Sequence, residues 1–216
     1  MQSEMIFHQT AFSEKMELDL PDGTKVSLNA NSELKYKKEN PREVWLNGEA
    51  FFKVQKKMQT GERFLVHTND LTVEVLGTAF NVHTRMEQTS VVLEEGKVNL
   101  QLENGLEKEM EPGDLIAFSA KENRILKEEK TLKTEIHTSW KDGSLLFEDI
   151  SLKDAMSQIT EIYGVKIKFE NEAISSKRIH IGVPTTNIDI CIKAMEIACK
   201  IKIEKSDNLL IIDELK

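Results

Sequence analysis

The sequence predicts a mainly β N-terminal domain, an antiparallel sandwich or roll, followed by a small α/β domain with duplicated β-α-β units. Three observations predict this. Up to about Trp140, short runs of alternating apolar residues are separated by glycine-containing turns. Helical apolar stripes begin only after Leu145, and two stretches there match each other at an offset of 36 residues. The corresponding domains are residues 1–135 and 140–216.

In the first part, Leu18 and Leu20 alternate with polar residues, Pro21-Asp22-Gly23 supplies a turn, and Val26 and Leu28 resume the alternation. Period-2 alternation around such a turn is a hairpin signal. Further strands are expected at Val44 to Val54, Phe64 to Thr68, Leu71 to Leu76, Phe80 to His83, Val91 to Leu93, Val98 to Leu102 and Leu115 to Phe118. Asn104-Gly105 and Pro112-Gly113 punctuate the last of these. Many short strands at close spacing mean a sandwich, roll or barrel. The charge-rich stretch Lys121 to Lys133 reads as a strand edge running into a linker.

In the second part, Ser151 and Asp154 can form a helix cap ahead of an apolar stripe of Leu152, Ala155, Met156, Ile159 and Ile162. Gly164 ends that helix and Val165 to Phe169 reads as a strand. The second unit has a cap at Thr186 and Asp189, a stripe of Ile188, Cys191, Ile192, Met195, Ala198 and Cys199, and a strand starting at Ile201 and Ile203. Strands at Leu145 to Phe147 and Ile179 to Val183 precede the two helices, and a last strand at Leu209 to Ile212 closes the domain.

The composition narrows the function. The 216 residues carry 29 Lys+Arg against 37 Asp+Glu, a net charge of −8. Nucleic acids and anionic membranes both demand a basic face, so neither is expected as a partner. No apolar run approaches the roughly 18 residues that a membrane span needs. Cys191 and Cys199 sit eight positions apart on one predicted helix, roughly 12 Å at about 1.5 Å per residue, too far for a disulfide. They read as small apolar core residues.

Catalytic chemistry finds no foothold. His8, His67, His83, His137 and His180 have no H-E-x-x-H or H-x-H spacing. His67 and His83 could converge across strands, as in a cupin-like metalloenzyme, but surface or core histidines are the simpler reading. There is no nucleophile elbow, P-loop or dinucleotide fingerprint. The expectation is a binding protein, not an enzyme, without metal or cofactor.

Several blocks carry a family resemblance. They are Leu20-Pro-Asp-Gly-Thr-Lys-Val-Ser-Leu-Asn-Ala-Asn-Ser-Glu-Leu-Lys-Tyr36, Arg42-Glu-Val-Trp-Leu-Asn-Gly-Glu-Ala-Phe-Phe-Lys-Val54, Val75-Leu-Gly-Thr-Ala-Phe-Asn-Val82, Leu93-Glu-Glu-Gly-Lys-Val98 and Pro112-Gly113. In order and spacing they resemble the FecR family over roughly residues 15–120. Trp140-Lys-Asp-Gly143 with Leu146-Phe147 resembles the join to the C-terminal domain of two-domain FecR proteins. That domain is similar to the short N-terminal domain of secretins and TonB-dependent transducers.

The resemblance implies an anti-sigma regulator anchored in the inner membrane, and it transfers no catalytic residues. Its periplasmic part binds the signalling domain of an outer-membrane TonB-dependent receptor and controls an extracytoplasmic-function sigma factor. The sigma factor is held by a cytoplasmic segment ahead of a membrane span, neither of which these residues contain, so the chain is expected to be the periplasmic portion. Small α/β domains dock by strand addition at exposed sheet edges. The candidate partner-binding edge is the final strand, Leu209, Leu210, Ile211 and Ile212, the alternative being that it pairs internally and is covered. The competing reading is an extracytoplasmic carbohydrate-binding β module, for which Trp45 and Trp140 are too few aromatic residues to build a sugar platform.

Overall fold

The computed structural model describes residues 4–130 and 133–215, and the chain divides into two compact units. The first comprises Met1–Ala11 and Lys15–Thr134, and the second Phe12–Glu14 and Glu135–Lys216.

In unit 1, thirteen strands among the described residues join into one curled sheet: β1 (Met5–Thr10), β2 (Met16–Asp19), β3 (Lys25–Leu28), β4 (Ser32–Lys37), β5 (Asn40–Lys53), β6 (Phe64–His67), β7 (Leu71–Val75), β8 (Ala79–Arg85), β9 (Gln88–Glu95), β10 (Val98–Leu102), β11 (Glu107–Met110), β12 (Asp114–Ser119) and β13 (Arg124–Lys130). The fold turns on β5. Its first half pairs with β4 and β6, and its second half pairs with β3 and β8. One strand therefore belongs to both faces of the roll and forms its corner.

The bend falls at Gly48, whose φ is +105°. A Cβ there would lie 2.3 Å from Ser32 Oγ, so glycine is required both by backbone and by space. Alternate residues point inward: Leu34 and Tyr36, Val44 and Leu46, Val73 and Val75, Val91 and Leu93 are buried. At the centre, Phe52 stacks on Phe80 at 5.2 Å and meets Phe64 at 6.0 Å.

Three features depart from the sequence reading. β5 and β6 run parallel, so unit 1 is not purely antiparallel. β1, β4 and β11 are additional strands. β11 (Glu-Lys-Glu-Met) buries only Met110, which leaves no alternation to detect. The stretch read as running into a linker forms β13 through Lys130, paired with β12, while its residues 131 and 132 lie outside the described residues.

Unit 2 begins with the short helix α1 (Glu135–Thr138) and a 3-10 turn at Ser139–Asp142 that buries Trp140. β14 (Ser144–Ser151), α2 (Leu152–Tyr163), β15 (Lys166–Phe169), α3 (Glu172–Ser175), β16 (Arg178–Pro184), α4 (Ile188–Cys199), β17 (Ile201–Ser206) and β18 (Leu209–Glu214) follow. Ser151 accepts the Asp154 N–H at 3.0 Å and starts α2, and Gly164 ends it at φ +70°. The cap of α4 is Asn187, which accepts the Asp189 N–H at 2.7 Å, and not Thr186 as the sequence suggested. Leu152, Ala155, Met156, Ile159 and Ile162 are buried as expected. In α4 Cys191, Ile192, Met195 and Cys199 are buried, but Ala198 is exposed.

β14 pairs antiparallel with β16, and a separate three-stranded sheet runs in the order β15-β18-β17. The strands that precede α2 and α4 thus pair with each other, and the strands that follow these helices flank β18.

Candidate functional site

The final strand is not an edge. β18 lies between β15, to which it is parallel, and β17, to which it is antiparallel. Its backbone is committed on both sides, so strand addition at Leu209, Leu210, Ile211 and Ile212 is closed off. Leu210 and Ile212 are fully buried, while Leu209 and Ile211 sit half-buried on the opposite face. The expectation of a free edge there is corrected by the pairing with β15, a contact across about forty residues that no local pattern reveals.

The true edges differ from one another. On β17, the Ile203 N–H is taken up by Glu196 Oε1 of α4 at 3.0 Å, and Lys193 pairs with the same carboxylate group. That side chain caps the strand at its middle. On β16, the bonds Thr185 N–H to Gly143 O and Leu152 N–H to Lys177 O show that odd-numbered residues face β14. The outward positions are then Arg178, His180, Gly182 and Pro184, the last with no donor. A bulge between Glu148 and Ile150, with Asp149 at φ +49°, adds twist to this pair.

β15 is the open edge of the three-stranded sheet. Lys166 N–H donates to Asn208 O and Glu170 N–H to Ile212 O. Residues two apart in a parallel ladder bond to the same side, so Ile167 and Phe169 turn their N–H and C=O groups outward. Lys166 and Lys168 are exposed.

Unit 1 holds three polar clusters. Arg42 and Asp22 form a buried ion pair, and Arg42 also donates to the carbonyls of Gln55, Glu62 and Arg63. Asp70 accepts from Thr89 Oγ1 at 2.7 Å and from the Ala120 N–H at 2.9 Å. Glu49 accepts one amide from Asn29 and one from Asn81, at 2.7 and 2.8 Å. Each acid accepts from donors elsewhere in the unit, which is how the buried carboxylates of Asp22 and Asp70 are tolerated. Asp22, Arg42, Glu49 and Asn81 all belong to the resemblance blocks, and here they tie strands together.

On the outer face, His67 Nε2 lies 3.1 Å from Glu43 Oε1 and its Nδ1 3.0 Å from Thr72 Oγ1, with the ring stacked on Trp45. A hydroxyl, an imidazole and a carboxylate in line suggest nucleophilic catalysis. These strands are interior to the sheet, however, so their N–H groups are spent in ladders and cannot stabilise an oxyanion. His83 pairs with Glu49 on the second half of β5, whereas His67 pairs with Trp45 on the first. No group of metal-binding side chains occurs among the described residues.

Cys191 and Cys199 are free and buried. Burial pushes the Cys191 thiol up to about 11 and also raises Cys199, which Lys177 partly offsets. No helix among the described residues is long and apolar enough to cross a membrane.

The model of the family described as FecR protein matches residues 7–99, and that described as FecR, C-terminal matches residues 144–212. The chain belongs to the FecR family. As a FecR protein it shares its fold with two crystal structures of a candidate anti-sigma factor from Parabacteroides distasonis ATCC 8503, each at a TM-score of 0.81. They are 23% and 24% identical to it, cover 99% and 98% of this chain, and are themselves covered in full, at 100%. A search of curated proteins gave no match.

Proposed function

We propose that this FecR protein is the periplasmic signal-relay region of an anti-sigma regulator. Its second unit docks on the signalling domain of an outer-membrane TonB-dependent receptor, and the first unit supports or transmits that contact. The output is an extracytoplasmic-function sigma factor, reached through the cytoplasmic segment and membrane anchor that family members carry. No nucleic acid, metal or cofactor takes part, and the chain acts by binding, not by catalysis. The domains are residues 1–135 and 140–216.

The observation that carries this reading is the pair of family matches, one in each unit. The order of elements in unit 2 supports it further. Two β-α-β units, β14-α2-β15 and β16-α4-β17, fit a duplicated plan and the likeness to the short N-terminal domain of secretins and TonB-dependent transducers. A receptor's own signalling domain would then be a small domain of the same kind, with sheet edges of its own.

The test is calorimetric titration of the full chain with the signalling domain of the TonB-dependent receptor encoded nearest to it. A dissociation constant on the order of micromolar is expected for a modest interface. Hydrogen exchange should slow within residues 143–216. Absence of heat and of complex on gel filtration would refute the partner, and slowing confined to unit 1 would reverse the roles of the two units.

A further inference from the structure

We infer that β15 is the docking edge of unit 2 and that its occupant is an extended strand of the partner carrying carboxylates at alternate positions. This rests on the receptor reading above and names the surface and its chemistry.

The two edges of the β15-β18-β17 sheet are not equally available. Glu196 occupies the middle donor of β17. On β16, Arg178, His180 and Gly182 keep outward donors, but Pro184 removes the next one, Gly182 puts no side chain beside an incoming strand, and the bulge opposite, at Asp149, twists the ribbon. β15 keeps two consecutive outward pairs, at Ile167 and Phe169, and no hydrogen bond among the described residues engages them. Backbone groups at this spacing accept only another extended chain, because only a strand repeats its donors and acceptors every second residue.

Side chains select which strand. Lys166 and Lys168 project to the same face of β15, two positions apart. Lys168 pairs with Glu170 at 2.6 Å, but both are about half exposed, so the pair holds Lys168 only weakly. Lys166 has no ion pair among the described residues. A second copy adding antiparallel at this edge would set Lys166 against Lys168 when centred on Ile167, or Lys168 against its own equivalent when centred on Lys168, and either like-charge apposition disfavours self-pairing. A strand with Asp or Glu opposite them gains at both positions. Lysines on a short edge therefore exclude the copy and admit the acidic partner.

The experiment uses the full chain, isotope-labelled, with the receptor signalling domain as probe. In the free chain, the Ile167 and Phe169 amides should exchange rapidly while Lys168 and Glu170 are protected. On complex formation Ile167 and Phe169 should become protected. The double variant Lys166→Glu, Lys168→Glu should bind at least roughly tenfold more weakly with an unchanged melting temperature. A complex in which both amides still exchange rapidly, or full affinity in the double variant, would overturn the edge while leaving the partner standing. No complex at all would overturn both. A dimer of the full chain that protects the same two amides would overturn the choice of occupant.

Discussion

Arg42 reaches from the start of β5 to the turn after β2 and closes on Asp22, with both side chains almost fully buried. Asp22 also accepts from the Thr24 N–H and hydroxyl at 3.0 and 2.8 Å, so the turn is built around its carboxylate. The guanidinium lies over the Phe64 ring at 5.5 Å and spends its remaining donors on three carbonyls of the 55–63 connection. One residue thus fixes the hairpin turn, the corner strand and the crossover to the parallel strand β6.

Arg42→Ala should therefore destabilise unit 1 by about 3–5 kcal/mol, because it leaves an uncompensated buried carboxylate and three carbonyls without donors. Denaturant unfolding followed by tryptophan fluorescence measures this. Arg42→Lys should recover only part of the loss, since an ammonium cannot reach four acceptors from one planar fork. A loss below about 1 kcal/mol would mean that water replaces the guanidinium.

Gly48→Ala should cost at least about 2 kcal/mol. Both its left-handed backbone and the 2.3 Å approach to Ser32 Oγ resist a methyl group at the corner of β5. Ser32→Gly in the same chain removes the Oγ and Cβ contacts but leaves the Ser32 Cα 2.7 Å from the added methyl group, together with the backbone strain, and so should restore little of the stability. Thermal melts of the two variants measure how much of the cost the Ser32 side chain carries.

What the sequence revealed, and what it hid, follows from range. Alternation at Val26 and Leu28 and the stripe from Leu152 to Ile162 are local, and they located β3 and α2 correctly. Ser151 and Gly164 are local signals too. The parallel pairings of β5 with β6 and β15 with β18 are choices of partner, which local periodicity does not record. The same blindness turned a central strand into a supposed edge. Thr186 and Asn187 are both good capping residues, and it is the Asn187 side chain, next to the first helical residue, that accepts the Asp189 and Ile190 N–H groups. Pro21-Asp22-Gly23 announced a turn, but nothing nearby announced that Asp22 would be buried against Arg42.

The two thiols should report on opening of unit 2. Because Cys191 and Cys199 are buried and held protonated, a thiol reagent at neutral pH should modify them only on unfolding or local opening. A pH dependence follows with a definite sign. The Cys191 thiol is raised from 9.0 to about 11, so the folded state favours the protonated form. Its contribution is fully present below about pH 9 and is lost as pH rises toward 11, by up to about 1.4 kcal/mol per pH unit. Cys191→Ala should flatten this stretch of the stability profile at some packing cost. An unchanged slope would assign the alkaline loss to other groups.

Leu210→Pro tests the position of β18 directly. Leu210 stands opposite Ile167 on one side and Lys205 on the other, and its side chain is wholly buried. Proline would remove a ladder donor in a strand paired on both flanks and would empty the pocket that the leucine fills. Losses of about 3 kcal/mol for the backbone and 2–5 kcal/mol for the missing side chain together rival the whole stability of a small unit. Unit 2 should unfold, seen as loss of its helical circular dichroism and rapid labelling of both cysteines. The contrasting variant is Ile167→Pro on the outer edge of β15, whose N–H points away from β18. It should keep more of the fold, because no internal hydrogen bond is lost, yet still lose the receptor domain in titration. If Leu210→Pro instead melts as the parent chain does, the central placement of β18 is wrong.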